Sequence, residues 1–181
     1  MTTIPTLTTE RLILRGLREG DAPAIAALHG DPQVTRYIRQ QPETSLGQAW
    51  DYIAGQIGHW TLKGCGKWAA VERSSGRLIG RIGFLNRPFD WPGLELGWTL
   101  SRDVWGRGLA TEGALAALNW GFETLTADEV VSAIHPDNIP SVRVAERLGE
   151  SHLRDTELSG VRHYVYGISR QEWRRRATTQ T

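Results

Sequence analysis

The stretch from residue 94 to residue 124 constrains the chain most, because the period of its apolar residues changes part-way along. Leu94-Glu95-Leu96-Gly97-Trp98-Thr99-Leu100 alternates with a period of two, as a half-buried strand does. Beyond the turn Trp105-Gly106-Arg107-Gly108, the residues Ala110, Gly113, Ala114, Ala117, Leu118 and Gly121 recur at three- and four-residue spacing. That spacing predicts an amphipathic helix over Leu109–Thr124 whose small-residue face can lie close against a sheet. A strand that passes through glycines straight into a helix leaves successive N–H groups unpaired, with the helix dipole behind them. Such a turn is an anion-binding concavity, and Gly106 and Gly108 remove side chains where a phosphate would approach the backbone. Arg107 is placed to add a charge-assisted contact.

The remaining elements fit around this unit. Leu12-Ile13-Leu14 is a short strand-like run, and Asp21 is placed to N-cap a helix with Pro23 in its first turn. A second helix is expected from Ser45 to Leu62, interrupted by Gly64 and Gly66 before an extended run over Lys67–Glu72. Ser74-Ser75-Gly76 makes a turn, Leu78–Leu85 a strand, and Pro88, Trp91, Pro92 and Gly93 a loop. Val130–Ile134 reads as a buried strand and Ser141–Leu148 as a short helix stopped by Gly149. Two strands, near Leu153–Leu158 and His163–Ile168, close the pattern. Strands alternating with helices imply an α/β sheet covered on both faces, of mixed direction because some connections are too short for crossovers. With no repeat, low-complexity block or long linker, residues 1–181 are expected to form a single domain.

Composition removes several function classes. A formal charge of +1 is too small for a module that binds nucleic acid by neutralising phosphates. The basic end, Arg170 through Arg176, reads as a solvated helix face. No apolar run approaches the roughly 18 residues that suggest a membrane span. The start, Met1-Thr2-Thr3-Ile4-Pro5, lacks the basic and apolar regions of a signal peptide. The single cysteine, Cys65, cannot form an internal disulfide, so a cytoplasmic protein is expected, without membrane or nucleic-acid partners. Within Lys63-Gly64-Cys65-Gly66-Lys67 it reads as a loop thiol, since a nucleophile would need a depressed pKa and a base. The histidines, His29, His59, His135, His152 and His163, have no paired ligand spacing, so no metal is expected. No G-x-S-x-G elbow supports a serine hydrolase.

Among phosphate binders, a P-loop is excluded because no Gly-Lys-Ser/Thr ends the turn. A dinucleotide site needs a glycine or alanine where Thr111 stands, and Asp128 precedes its strand rather than following it. The bland alternative is a plain strand-to-helix turn with two glycines.

The turn resembles motif A of the GNAT superfamily of acetyl-CoA-dependent N-acetyltransferases, whose pattern is Gln/Arg-x-x-Gly-x-Gly/Ala. It reads Trp105-Gly106-Arg107-Gly108-Leu109-Ala110, with Trp in the first position, and continues as Thr111-Glu112. The form W-G-x-G-x-A-T-E is similar to the branch containing the ribosomal-protein-alanine N-acetyltransferases. Further matches are Thr9-Glu10-Arg11-Leu12-Ile13-Leu14-Arg15, Asp31-Pro32-Gln33-Val34 and Gly76-x-Leu78-Ile79-Gly80. Asn138-x-x-Ser141-x-x-Val144-x-Glu146-x-Leu148-Gly149 also fits, in matching order.

The resemblance implies a mixed sheet of about seven strands with helices on both faces. It also implies a splay between Leu94–Leu100 and Val130–Ile134 that clamps acetyl-CoA, the cosubstrate. The pantetheine arm would pair near Leu100, as an added strand does. The pyrophosphate would sit on the N–H groups of Gly106, Arg107, Gly108, Leu109 and Ala110, flanked by Trp105 and Thr111. Asn138 would bond the pantetheine amides, with Ser141 beside it. Acyl transfer to an amine needs a group to take its proton, and Glu95 is the candidate base. Glu112, in the first turn of the helix, is favoured there by the dipole alone. Many relatives place a Tyr acid where Ala145 stands, leaving Ser141 as the hydroxyl to protonate the departing sulfur. Its alternative is capping of the short helix. A backbone N–H near Leu100 would stabilise the carbonyl oxygen.

The chain has eight tryptophans, and Trp60, Trp68, Trp91 and Trp98 lie in stretches that would surround the acceptor, Trp91 and Trp98 foremost, with core packing the alternative for each. The acceptor is expected to be a primary amine, either a peptide N-terminus or a small molecule such as a polyamine, amino acid or antibiotic. A non-catalytic acyl-CoA-binding module is the alternative from another class, and a homodimer is compatible with all of these.

Overall fold

The structure, a computed structural model, describes residues 3–38, 45–88 and 91–179, with side chains through residue 176. Eight strands form one sheet: β1 (Leu7–Thr8), β2 (Leu12–Arg15), β3 (Lys67–Glu72), β4 (Leu78–Leu85), β5 (Glu95–Leu100), β6 (Glu129–Ile134), β7 (Ser151–Leu158) and β8 (Val161–Ser169). Their order is β1-β2-β3-β4-β5-β6-β8-β7. The strand beyond the expected seven is β1, whose two residues are too few to show a period. Six helices are found among the described residues: α1 (Ala22–Gly30), α2 (Pro32–Thr35), α3 (Leu46–Lys63), α4 (Leu109–Thr124), α5 (Ile139–Leu148) and α6 (Arg170–Thr179). None of the described helices is long and apolar enough to cross a membrane.

The sheet is mixed because one pair, β5 with β6, is parallel while the hairpin-like pairs around it are antiparallel. The parallel pair follows from α4, which carries the chain across between them. Strand β3 is buried along its whole length, so both faces of the sheet are covered. On one face, Ala69 and Val71 pack with Ala22, Ile25 and Ala26 of α1 and Ala49 and Ile53 of α3. On the other, Trp68 and Ala70 join Ile82 and Phe84 against Leu109, Ala114, Ala117 and Leu118 of α4. The small-residue face of α4 permits this contact: a Cβ on Gly113 would lie 2.4 Å from Ile82, and one on Gly121 2.4 Å from Phe84.

Helix ends depart from the sequence expectation at one place. Ser45 caps α3, accepting from the Gln48 N–H in a capping box. Asp21 precedes α1 but caps nothing with its side chain. Its carboxylate accepts from both terminal nitrogens of Arg15 at 2.7 Å and from the Arg18 N–H at 2.9 Å. The bidentate guanidinium is a stronger partner than a single neutral N–H, so the ion pair takes the carboxylate. The basic end is also more than a solvated face. Arg170 donates to the carbonyls of Phe122, Leu125 and Ala127, satisfying acceptors at the C-terminal end of α4 and just beyond it.

The feature that positions the site is the parting of β5 from β6. They meet at Glu95 and Val131, where the Val131 N–H donates to the Leu94 carbonyl at 2.9 Å. Ser132 Oγ donates to the Leu96 carbonyl, also at 2.9 Å, and beyond this tie no further pairing joins the strands. The carbonyls of Leu94 and Leu96 point toward β6, so by strand alternation the backbone of Trp98 points into the gap.

Candidate active site

A cleft of about 710 Å³ opens over the splay, lined from β5 by Glu95 and Thr99 and from the β6 side by Ser132, His135, Asn138 and Ser141. Its two sides have different chemistry, and each is built by identifiable local structure.

The anion side is the turn before α4. Gly106 and Gly108 both adopt left-handed φ, +74° and +77°, so any other residue there would be strained. A Cβ on Gly106 would meet no atom within 4 Å, which leaves the concavity open to a ligand. Helix α4 directs its unpaired first-turn N–H groups there, from Leu109, Ala110 and Thr111. These residues fit a pyrophosphate. The indole N–H of Trp105 donates to the Leu100 carbonyl at 2.8 Å, bracing the turn against the end of β5. Arg107 donates to Glu72 at 2.8 Å, because a carboxylate lies within reach of its fork. The Arg107 side chain is half-exposed, so its other N–H groups stay open to an anion.

Glu112 is more than a dipole-favoured carboxylate. It accepts from Thr9 Oγ1 at 2.6 Å, the Arg11 N–H at 2.8 Å and Arg11 Nε at 2.6 Å. Arg11 also donates to the Arg107 carbonyl at 2.8 Å. The Thr9-Glu10-Arg11 and Ala110-Thr111-Glu112 motifs, about 100 residues apart in the sequence, are thereby one clamp on the turn. The side-chain oxygen of Asn138 caps α5 by accepting from the Ser141 N–H at 3.3 Å. Capping therefore falls to Asn138, and the Ser141 hydroxyl borders the cleft.

The acceptor side has an unanticipated occupant. Glu95, Gly97 and Thr99 share one face of β5, and Leu96 and Leu100 are buried in the core on the other. A glycine beside Glu95 on this face would leave room for a water and an amine. Instead the Lys67 side chain crosses β4 and sets its ammonium there, 2.7 Å from where a Gly97 Cβ would be. Lys67 is 5 % exposed and donates to the Gly83 carbonyl at 2.7 Å. Burial pushes its pKa down to about 8. Burial pushes the Glu95 carboxyl up, against the opposing pull of Lys67 and of Trp91, whose indole donates to it at 2.9 Å.

Beneath Glu95 lies a second acid. Glu150 is 4 % exposed, within 3.0 Å of Ser132 Oγ, and burial pushes its pKa up to about 8. At neutral pH it is therefore mainly protonated and donates to Ser132, whose own proton goes to the Leu96 carbonyl. The tie across the splay is a chain of two hydrogen bonds.

The tryptophans divide. Trp91 borders the cleft, with the Arg87 guanidinium 5.1 Å over its ring. Trp98 also borders it, but its side chain packs from the α4 face against the core. Trp60 and Trp68 are not acceptor walls: they are 2 % and 0 % exposed and interlock edge-to-face with Trp120. Cys65 is buried, and burial pushes its thiol up to about 11, which excludes a thiolate nucleophile at neutral pH.

Residues 11–150 match the model of the acetyltransferase (GNAT) domain. The chain belongs to the GNAT acetyltransferase family. The family uses acetyl-CoA, which suits the open turn and the splay. An uncharacterized N-acetyltransferase, p20 of Bacillus licheniformis, is 30 % identical over 175 residues, 93 % of this chain and 98 % of that protein. An acetyltransferase from Agrobacterium tumefaciens superposes with a TM-score of 0.80 at 35 % identity, covering 92 % of this chain and 95 % of its own. A ribosomal L7/L12 alpha-N-protein acetyltransferase in complex with coenzyme A shares the fold, with a TM-score of 0.78 at 17 % identity over 91 % of this chain and 98 % of its own.

Sequence reasoning missed Lys67, Arg81 and Ser132 in this GNAT cleft, and Glu150 behind Ser132. One signal was present. Arg81 interrupts the apolar run Leu78–Leu85, and a charge inside a buried strand demands a reason.

Proposed function

We propose that this GNAT protein transfers the acetyl group of acetyl-CoA to a primary amine by direct attack, with Glu95 as general base. The observation that carries the reading is the placement of Glu95. It stands where β5 and β6 part, in one cleft with Ser141 and beside the backbone edge that a pantetheine arm would use. Its raised pKa suits proton transfer at neutral pH better than an ordinary carboxylate would. The amine nitrogen forms the new C–N bond and the thioester C–S bond breaks. Glu95 takes one proton from the ammonium and releases it to solvent, the nitrogen loses its second proton to solvent once the C–N bond has formed, and Ser141 supplies one to the departing sulfur and regains it from solvent. Asn138 and the N–H groups from Gly106 to Ala110 hold the donor. A protein N-terminus is one acceptor class, by likeness to the ribosomal-protein enzyme. A small amine is the other.

The test follows free thiol release from acetyl-CoA with a panel of peptides and small amines. Glu95→Gln is expected to cut turnover by about 10²- to 10⁴-fold. Its dissociation constant for CoA should stay constant, and raising the pH should partly rescue it. Ser141→Ala should lower the rate more than the affinity. Near wild-type turnover of Glu95→Gln at pH 7 would refute the assignment.

A further inference from the structure

The acceptor end of the cleft carries a charge imbalance that a bare amine does not explain. Arg36, Lys67, Arg81 and Arg87 line it, against the single carboxylate of Glu95 among the described residues. An acceptor amine arrives protonated and positive, so a pocket built for a simple amine or a polyamine should show the opposite balance. Two of these cations are also buried where burial is costly. Arg81 is 8 % exposed and Lys67 5 % exposed.

Arg81 is the informative one. It points from β4 onto the same face as Thr99, its partner across the β4–β5 ladder, and lines the cleft. Its Nε donates to His29 Nε2 at 3.2 Å, and its guanidinium carbon lies 5.2 Å over the Tyr52 ring. Those contacts hold the plane of the group and leave its two terminal nitrogens without an acceptor among the described residues. No carboxylate pairs with it there. A guanidinium more than nine-tenths buried, oriented by a ring and an imidazole, presents a two-pronged donor that matches a planar oxyanion. Lys67, whose ammonium lies over Gly97 between Arg81 and Glu95 on this face, extends the same positive strip toward the base.

Resting on the reading of Glu95 as base, we propose that the acceptor is a primary amine that also carries an oxyanion, a carboxylate or phosphate, and that Arg81 binds that group. The negative group offsets the cations of the cleft, and it places the amine beside Glu95. A free amino acid, a small amino-phosphate and a peptide with an acidic residue next to its N-terminus all offer this chemistry. They differ in size and in where the oxyanion sits.

The experiment compares matched pairs on the wild-type enzyme with acetyl-CoA: amino acids against their amides, amino-phosphates against the corresponding amino alcohols, and acidic against neutral N-terminal peptides. The charged member of the preferred pair should have a kcat/KM on the order of 10- to 100-fold higher, the effect of a charge-assisted pair of hydrogen bonds. The pair showing the difference identifies the source of the oxyanion. In Arg81→Gln the ratio within that pair should collapse toward one, while the dissociation constant for CoA stays within twofold. Thermal protection of the CoA complex by charged and neutral members, read without turnover, guards against a variant that folds poorly. It also separates the two readings. Protection by the charged member with no acetyl transfer to any amine would sink the catalytic proposal and keep the oxyanion site. Transfer with equal or better use of the neutral member in every pair, or a changed CoA affinity with an unchanged ratio in Arg81→Gln, would overturn the oxyanion site and keep the catalytic one.

Discussion

Lys67 and Glu95 show how a few atoms set the chemistry of this cleft. Gly97 carries no side chain, and into that vacancy comes an ammonium rather than solvent. The positive charge opposes the effect of burial on the Glu95 carboxyl, together with Trp91, Arg81 and Arg87, and so limits its upward shift. Lys67→Met keeps the length of the side chain and removes the charge. In this variant the Glu95 pKa should rise further, and the low-pH limb of the kcat/KM profile should move to higher pH. The check is a pH–rate profile of both proteins with one acceptor. A limb that does not move would show that Glu95 is not the group whose ionisation controls the rate. None of this was legible from β5 alone. Alternation correctly put Glu95, Gly97 and Thr99 on one face, but the residue that fills the gap comes from β3, two strands away. Periodicity within one strand carries no information about a long side chain reaching over a neighbour.

Among elements, the decisive relation is between the β1–β2 corner and the first turn of α4. Glu112 receives three donors from Thr9 and Arg11, and Arg11 also holds the Arg107 carbonyl. The clamp ties the left-handed turn at Gly106 and Gly108 to the first turn of α4 and to the β1–β2 corner. Glu112→Ala should cost about 1–3 kcal/mol of stability, from the donors left without an acceptor. It should also weaken CoA binding several-fold, although it removes a negative charge near the phosphates. Urea denaturation and calorimetry measure the two effects. Tighter CoA binding in the variant would mean that charge repulsion, not loop shape, governs the turn. Here the sequence was legible in part. Thr9-Glu10-Arg11 and Ala110-Thr111-Glu112 stood out as motifs, and the elements around them fell within a residue or two of their predicted ends. That the two motifs touch could not be read, because contact between segments so far apart depends on the sheet order. Asp21 failed for a similar reason: a good capping residue was claimed by a guanidinium from the neighbouring strand.

For the whole molecule, the splay is both the reason for the cleft and its weak point. Glu150, through Ser132, holds the last tie between the two halves of the sheet, and it does so as a neutral acid. In the unfolded chain its pKa lies near the ordinary 4.5, against about 8 in the folded protein. The folded state therefore binds the extra proton between these values, and stability falls as pH rises through that window, by up to about 1.4 kcal/mol per pH unit. Glu150→Gln removes the titration while retaining a donor to Ser132. The variant should be more stable than wild type at pH 8, with the gap closing toward pH 5; equal stability of the two proteins across that range would refute a protonated Glu150. The same gap has a consequence for the life of the protein. Past Ser132 the sheet lacks a rung, which under the proposed reaction the acyl donor would supply as a removable part. A donor held at 100 times its dissociation constant adds about 2.7 kcal/mol to the stability of the folded protein. Protease resistance should then rise and fall with the supply of acetyl-CoA, measurable as the digestion rate with and without CoA. Starved of its donor, the enzyme becomes the easier one to degrade, so its abundance would follow the very pool it spends.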